Sequence, residues 1–294
     1  MHVCQQTLAS TASLSGVGVH TGQNVRVTLR PAPVNAGVVF VRTDIQDCDN
    51  RLPAIGEAVV QTRLGTVLGN AAGVTVSTVE HLMAALCALG VDNAIVELDG
   101  PEMPIMEGSA LPFVGLIDHA GRRPQDAPRR YIEILEAVEA VEGDAVARLS
   151  PAPRFELAFE IDFKSAAIGR QRIDLAVDET SFRAELAGSR TFGFAHEVEA
   201  LRQIGLARGG SLENALVFDG DVLLNPEGLG RADEPVRHKA LDAIGDLYLL
   251  GAPMIGRYEG VRAGHGVNNA VVRALLARPD AWRMRAAEAL VNAA

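Results

Sequence analysis

The sequence is short of aromatic side chains, of cysteine and of positive charge. Aromatics make up 4% of the 294 residues while apolar residues make up 48%, so a sizeable core has to be built mainly from Ala, Val, Leu and Ile. Three cysteines occur, Cys4, Cys48 and Cys87, and none forms a C-x-x-C pair. That argues against a disulfide framework and points to a reducing compartment, the cytoplasm. The formal net charge is −10, which argues against a general nucleic-acid binder, whose affinity depends on Lys and Arg meeting phosphates. A few local cations would still suffice for a small anionic substrate. No apolar run reaches the roughly 18 residues of a transmembrane helix. The polar N-terminus, MHVCQQTLASTASLSG, lacks the basic and apolar regions of a signal peptide, so no stable membrane insertion is expected. Also missing are a G-x-S-x-G elbow, a P-loop and the G-x-G-x-x-G spacing of a dinucleotide site.

What is present is a run of strand and helix patterns in both halves. Val25, Val27 and Leu29 alternate with polar residues, the period of a half-buried strand, and Gly37–Val41 is a second apolar run. Gly16, Gly18 and Gly22 surround His20 in a turn-rich loop. Thr78 to Leu89 reads as a helix between Ser77 and Gly90, followed by a strand at Ile95–Leu98. The charged, proline-containing stretch Gly121–Arg130 reads as a linker. Beyond it, Phe155, Leu157, Phe159, Ile161 and Phe163 alternate as a strand. Helices are expected at Asp178–Leu186, His196–Ile204, Pro235–Leu250 and Asn268–Ala277, with an alanine-rich, helical or frayed tail. Mixed layers in each half imply an α+β chain.

Three local patterns could carry chemistry. His238 and Asp242 stand at i and i+4 on one helix face, with Asp246 one turn later. They could share a cation or form a solvated pair. In STVEHL, Ser77 and Glu80 match a capping box; alternatively His81 is a third ligand and Glu80 a general base. Gly264-His265-Gly266 is either an ordinary turn histidine or an accessible imidazole. As a set they are more informative, because two histidines and one carboxylate leave a fourth position for water, the arrangement of catalytic zinc. Asp246 would then orient His265. His2, His119 and His196 have no convergent partners in the sequence and read as surface or packing residues.

The segments SGVGVHTG, LRPAP, STVEHLMAAL, PIMEGSALPF, SRTFGF, VRHKALDAIGDLYL and AGHGVNN, in this order, closely resemble the UDP-3-O-acyl-N-acetylglucosamine deacetylase family of lipid A biosynthesis. The resemblance implies two α/β domains, each a β-sheet with helices, the helices packed between the two sheets, and an inserted subdomain in each half. The domains would run from 1 to 124, with Glu80 and His81, and from 129 to 294, with His238, Asp242 and His265. It implies one Zn2+, or Fe2+, on His81, His238 and Asp242, with Glu80 as base, His265 as cationic partner, Asp246 supporting it and Thr191 on the tetrahedral intermediate. Phe192 would pack on the sugar, Lys239 and Arg262 would meet the diphosphate, and Asp162 and Phe163 the uridine. An insert at about 190–219 would hold the acyl chain among Val198, Ala207, Gly210, Ser211, Ala215 and Val217, with His20 near the site mouth.

The implied reaction is hydrolysis of the N-acetyl group of UDP-3-O-acyl-N-acetylglucosamine by a monomer, releasing acetate. Its rivals are a zinc amidohydrolase of another substrate and a non-catalytic binder of nucleotide sugars or lipids. Three positions depart from the family pattern: Gly65 stands in place of a frequent cysteine, Glu107 in place of aspartate, and Ala195 in place of a larger apolar residue. The last predicts a wider acyl passage.

Overall fold

The computed structural model describes residues 3–287; His2 and the alanine-rich stretch after 287 lie outside the described residues. Two sheets carry the two halves. The first has five strands in the order Ala12–Val17, Asn24–Pro31, Ala94–Leu98, Val38–Arg42, Arg51–Pro53. The alternation read at Val25, Val27 and Leu29 is an alternation of burial: these three are buried and their neighbours are not. The second sheet is built around Met254–Val261, which pairs antiparallel with Ala145–Ser150 and parallel with both Phe155–Asp162 and Arg130–Ile134.

Six helices are used below: α1 (Glu80–Ala88), α2 (Leu111–Ala120), α3 (Glu179–Ser181), α4 (Ala195–Gln203), α5 (Glu234–Tyr248) and α6 (His265–Leu276). Helix α2 packs on the first sheet and on α1; α5 and α6 pack on the second sheet and on each other; and α1 packs against α5. The helices therefore form a layer between the two sheets, and the main core cluster runs through all of it, with a small separate cluster at Tyr131, Ile255 and Ala287. The contact between α1 and α5 is close because Gly245 faces the backbone of Glu80. A Cβ there would overlap the Glu80 carbonyl oxygen and lie 2.8 Å from its carbon. No helix among the described residues is long and apolar enough to cross a membrane. Each half also carries a small three-stranded sheet, one at Val59–Gln61, Val67–Gly69 and Thr75–Val76, the other at Phe192–Phe194, Leu216–Asp219 and Val222–Leu223.

Several local expectations change in the folded chain. The stretch expected as a linker is largely a strand, Arg122–Pro128, paired antiparallel with Cys4–Leu8. Pro124 and Pro128 are tolerated because this is a two-stranded sheet with an irregular register, where a missing N–H need not break a ladder. Trp282–Ala286, at the start of the tail, is a strand against Arg130–Ile134 rather than a helix. The segment expected to be helical at Asp178–Leu186 opens with a capping box between Asp178 and Ser181 and then widens into a π turn over Phe182–Leu186. Helix α6 starts three residues earlier than its apolar pattern indicates, at His265, with Gly264 as its N-cap.

Candidate active site

Helices α1 and α5 meet at His81, His238 and Asp242. All three are buried, and one potential ligand atom from each lies within 4.8 Å of the others. His81 Nε2 and His238 Nε2 stand 3.4 and 3.3 Å from the same oxygen, Asp242 Oδ1. That oxygen is buried and has no hydrogen-bond partner. An unpaired buried carboxylate oxygen is costly, and a cation between it and the two imidazoles would satisfy all three atoms. The other oxygen, Oδ2, accepts from Lys239 Nζ at 2.8 Å. Burial opposes the charge on Asp242, but the Lys239 ammonium beside it outweighs this and holds the carboxyl well below the usual carboxylate range. His238 Nδ1 is 3.0 Å from the Ser189 carbonyl; donation there turns the Nε2 lone pair toward the cluster. Burial also lowers the pKa of His238 to about 3, the neutral state a metal ligand needs. The donor set, two nitrogens and one carboxylate, suits zinc or ferrous iron.

Beside this cluster sit two further ionisable groups. Glu80 opens α1, but not through a capping box. Ser77 lies outside the helix, its N–H donating to the Pro101 carbonyl, and Thr78 takes a left-handed φ of 60° that turns the chain into α1. The Glu80 side chain instead accepts from the Thr66 N–H at 3.1 Å. Burial raises its pKa. His265 Nδ1 is 2.9 Å from Asp246 Oδ2, and its Nε2 is 3.8 Å from Glu80 Oε1. Burial works against the imidazolium, but Asp246 and Glu80 prevail and raise its pKa to about 9. A buried carboxylate and a protonated imidazole thus lie beside the three potential ligands.

These groups line one end of a cavity of about 510 Å³ that also holds His20, Thr191, Phe192 and Lys239. From there the cavity runs along the small sheet of the second half, where Val198, Ala207, Gly210, Ser211, Ala215 and Val217 line it. Ala195, where the passage was expected to be wide, lines it too. Helix α4 buries no residue in the protein, although its Val198 and Leu201 border the cavity. Thr191 is fixed by its backbone, donating to the Gly108 carbonyl and accepting from Leu216 N–H, both at 2.8 Å. Three expected site residues lie elsewhere. Arg262 and Asp162 pair with each other at 2.5 Å on the surface, and Phe163 packs edge-on against Phe192 with centroids 5.5 Å apart.

Sequence reading missed four residues of this site. Thr66 donates its hydroxyl to Asp246 Oδ1 at 2.6 Å, and Asn268 donates to Oδ2 at 2.9 Å. Tyr258 in turn donates to Asn268 at 2.5 Å. Glu102 is buried and accepts the backbone N–H groups of His20 and Thr21 at 2.8 Å, shaping the loop at the cavity mouth. The SGVGVHTG loop therefore has its partner in the acidic residue of PEMP, and nothing in their spacing links the two in sequence.

A family sequence model described as LpxC, UDP-3-O-acyl N-acetylglycosamine deacetylase, matches residues 5–277. The chain is 69% identical over 281 residues to the UDP-3-O-acyl-N-acetylglucosamine deacetylase of Phenylobacterium zucineum, a match covering 96% of each chain. It is 51% identical to the protein of the same name from Myxococcus xanthus, over 95% of this chain and 88% of that one. Against the Acidithiobacillus ferrooxidans protein of that name the identity is 50%, over 95% and 91%.

Proposed function

The chain belongs to the UDP-3-O-acyl-N-acetylglucosamine deacetylase family, and from that premise we propose how its residues divide the reaction. The enzyme hydrolyses the N-acetyl group of UDP-3-O-acyl-N-acetylglucosamine in lipid A biosynthesis, releasing acetate and leaving the amine. His81, His238 and Asp242 hold a divalent ion, which we take to be one zinc per chain. The observation that carries this assignment is the buried Asp242 oxygen facing two imidazole nitrogens with no hydrogen-bond partner. When bound, such an ion supplies a Lewis acid that polarises an amide carbonyl and makes water acidic near neutral pH.

The protein's own groups move the protons. Glu80, its basicity raised by burial, takes a proton from the attacking water. His265, held as a cation against Asp246, and the Thr191 hydroxyl face the oxygen on which negative charge develops. Donors of that kind contribute about 10²–10³-fold each. The carbon–nitrogen bond then breaks, and the nitrogen takes a proton from the Glu80–His265 pair, whose near atoms are 3.8 Å apart. Phe192 and Lys239 border the same cavity and are assigned to the sugar and diphosphate. Arg262, Asp162 and Phe163 are assigned to the nucleotide outside it. The acyl chain occupies the apolar arm in the second insert, where each buried methylene contributes about 0.8 kcal/mol. We take the enzyme to act as a monomer.

The test is acetate release from UDP-3-O-acyl-N-acetylglucosamine before and after chelation and return of zinc. Release that disappears and returns with the metal is expected. Undiminished release from metal-stripped enzyme would remove the ion from the reaction.

A further inference from the structure

Thr66 touches both ionisable arms of the site without lining its cavity. Its N–H donates to Glu80 Oε2 at 3.1 Å and its hydroxyl to Asp246 Oδ1 at 2.6 Å, and it is 1% exposed. Asp246 in turn grips His265 Nδ1 at 2.9 Å. One residue of the turn between Val59–Gln61 and Val67–Gly69 thus connects the carboxylate on α1 to the carboxylate on α5 that orients the imidazole of α6. The backbone before it is shaped for this delivery. Leu64 has a left-handed φ of 64°, and Gly65 has a φ of 154°, a region that disfavours any side chain. A Cβ at 65 would also stand 3.0 Å from Glu80 Oε1, so the glycine lets the Thr66 amide close on that carboxylate.

We infer that Thr66 is a positioning residue for the deacetylation, setting Glu80 and His265 in register through one N–H and one O–H. The inference rests on the acid–base reading of Glu80 and His265 given above. Hydrogen bonds to charged groups are the strong ones, and a catalytic group misplaced by a fraction of an ångström loses much of its effect. Without the hydroxyl, the Asp246 carboxylate is released on one side and can turn, carrying the imidazole with it. Substrate contacts are untouched, because Thr66 does not reach the cavity.

Thr66→Val removes the hydroxyl while keeping the N–H and the shape. We expect kcat to fall about 10–100-fold, the worth of one hydrogen bond to a charged group. KM should stay within about twofold and metal content should match the wild type, while Tm falls by a few degrees because Asp246 Oδ1 loses its donor. Thr66→Ser should retain kcat to within about threefold, because it keeps both donors. Wild-type kcat in Thr66→Val would overturn the inference. So would equal damage in Thr66→Ser, which would assign the effect to the methyl group, or a loss of turnover that tracks loss of metal. If the valine variant does not fold, Thr66→Ala, which adds no bulk, is set against Thr66→Ser in its place, and equal activity of the two overturns the inference. Glu80→Gln is assayed alongside. If it turns over like the wild type, the acid–base reading itself fails; if it is inactive while Thr66→Val is normal, only the role of Thr66 fails.

Discussion

Replacing Gly245 by alanine tests whether the α1–α5 contact sets the metal site. The added Cβ would lie 2.8 Å from the carbonyl carbon of Glu80 and 3.0 Å from its Cα, besides overlapping the oxygen. Ordinary carbon contacts start at about 3.5 Å, so one helix must retreat by roughly 0.7 Å or more at this point. Both neighbours are backbone, so no side-chain rotation relieves the clash. Overpacking of this kind costs about 1–3 kcal/mol, which for a chain of this size lowers Tm by roughly 2–4 °C per kcal/mol. The more specific consequence falls on His81, the residue after Glu80. It faces Asp242 Oδ1 at 3.4 Å from α1, while His238 faces the same oxygen at 3.3 Å from α5. Separating the helices opens the first distance and spares the second, since His238 and Asp242 move together. Zinc affinity should therefore fall about 10–100-fold, comparable with loss of a residue that supports a metal ligand, and turnover should fall with it. Competition with a chelator of known affinity measures the loss of zinc binding, and thermal unfolding of metal-free protein the loss of Tm. An alanine variant that binds zinc as tightly as the wild type would show that the ligands do not depend on this approach.

Three other outcomes are expected. Glu80→Ala should keep its metal and lose about 10²–10⁴-fold in turnover, whereas His238→Ala should lose the metal itself; zinc content and acetate release, measured on both, separate base from ligand. His265 has its pKa raised from 6.5 to about 9, so the stability it contributes is fully present below pH 6.5 and is lost as pH rises through 9. Metal-free wild type should accordingly lose more Tm between pH 6.5 and 9 than metal-free His265→Gln, and identical losses would contradict the raised pKa. Ala215→Phe places a ring in the apolar arm of the cavity. KM should rise at least about tenfold for a long-chain substrate, on the scale of two buried methylenes, and change little for a short-chain one; steady-state kinetics on the pair decides.

Much of this protein is local and was readable as such. The burial alternation at Val25, Val27 and Leu29, the span of α5 and the placing of His238 and Asp242 on one face depend on spacings of two to four residues. Where local signals competed with long-range pairing, they misled. Pro124 and Pro128 suggested a linker, but Cys4–Leu8 supplies a partner strand on which they are harmless. Ser77 and Glu80 matched a capping box, but Thr66 offers the Glu80 carboxylate a donor and Pro101 takes the Ser77 N–H. The tail strand Trp282–Ala286 exists because Arg130–Ile134 presents an edge to it.

The sequence by itself determined the family, the reaction and the residue types that could serve it, because long ordered motifs such as STVEHL and VRHKALDAIGDL are legible without coordinates. Only the tertiary structure decided which atoms meet. His81 reaches the His238–Asp242 pair because Gly245 admits the backbone of α1. The Glu80–His265 pair is joined through Thr66, an unremarked threonine in sequence that donates to carboxylates on two different helices. Charge states belong to this second category as well. An imidazole held neutral down to about 3 at His238 and one held protonated up to about 9 at His265 are the same side chain in two surroundings. Burial dominates the first and neighbouring carboxylates the second, and both depend on what the fold places around the ring.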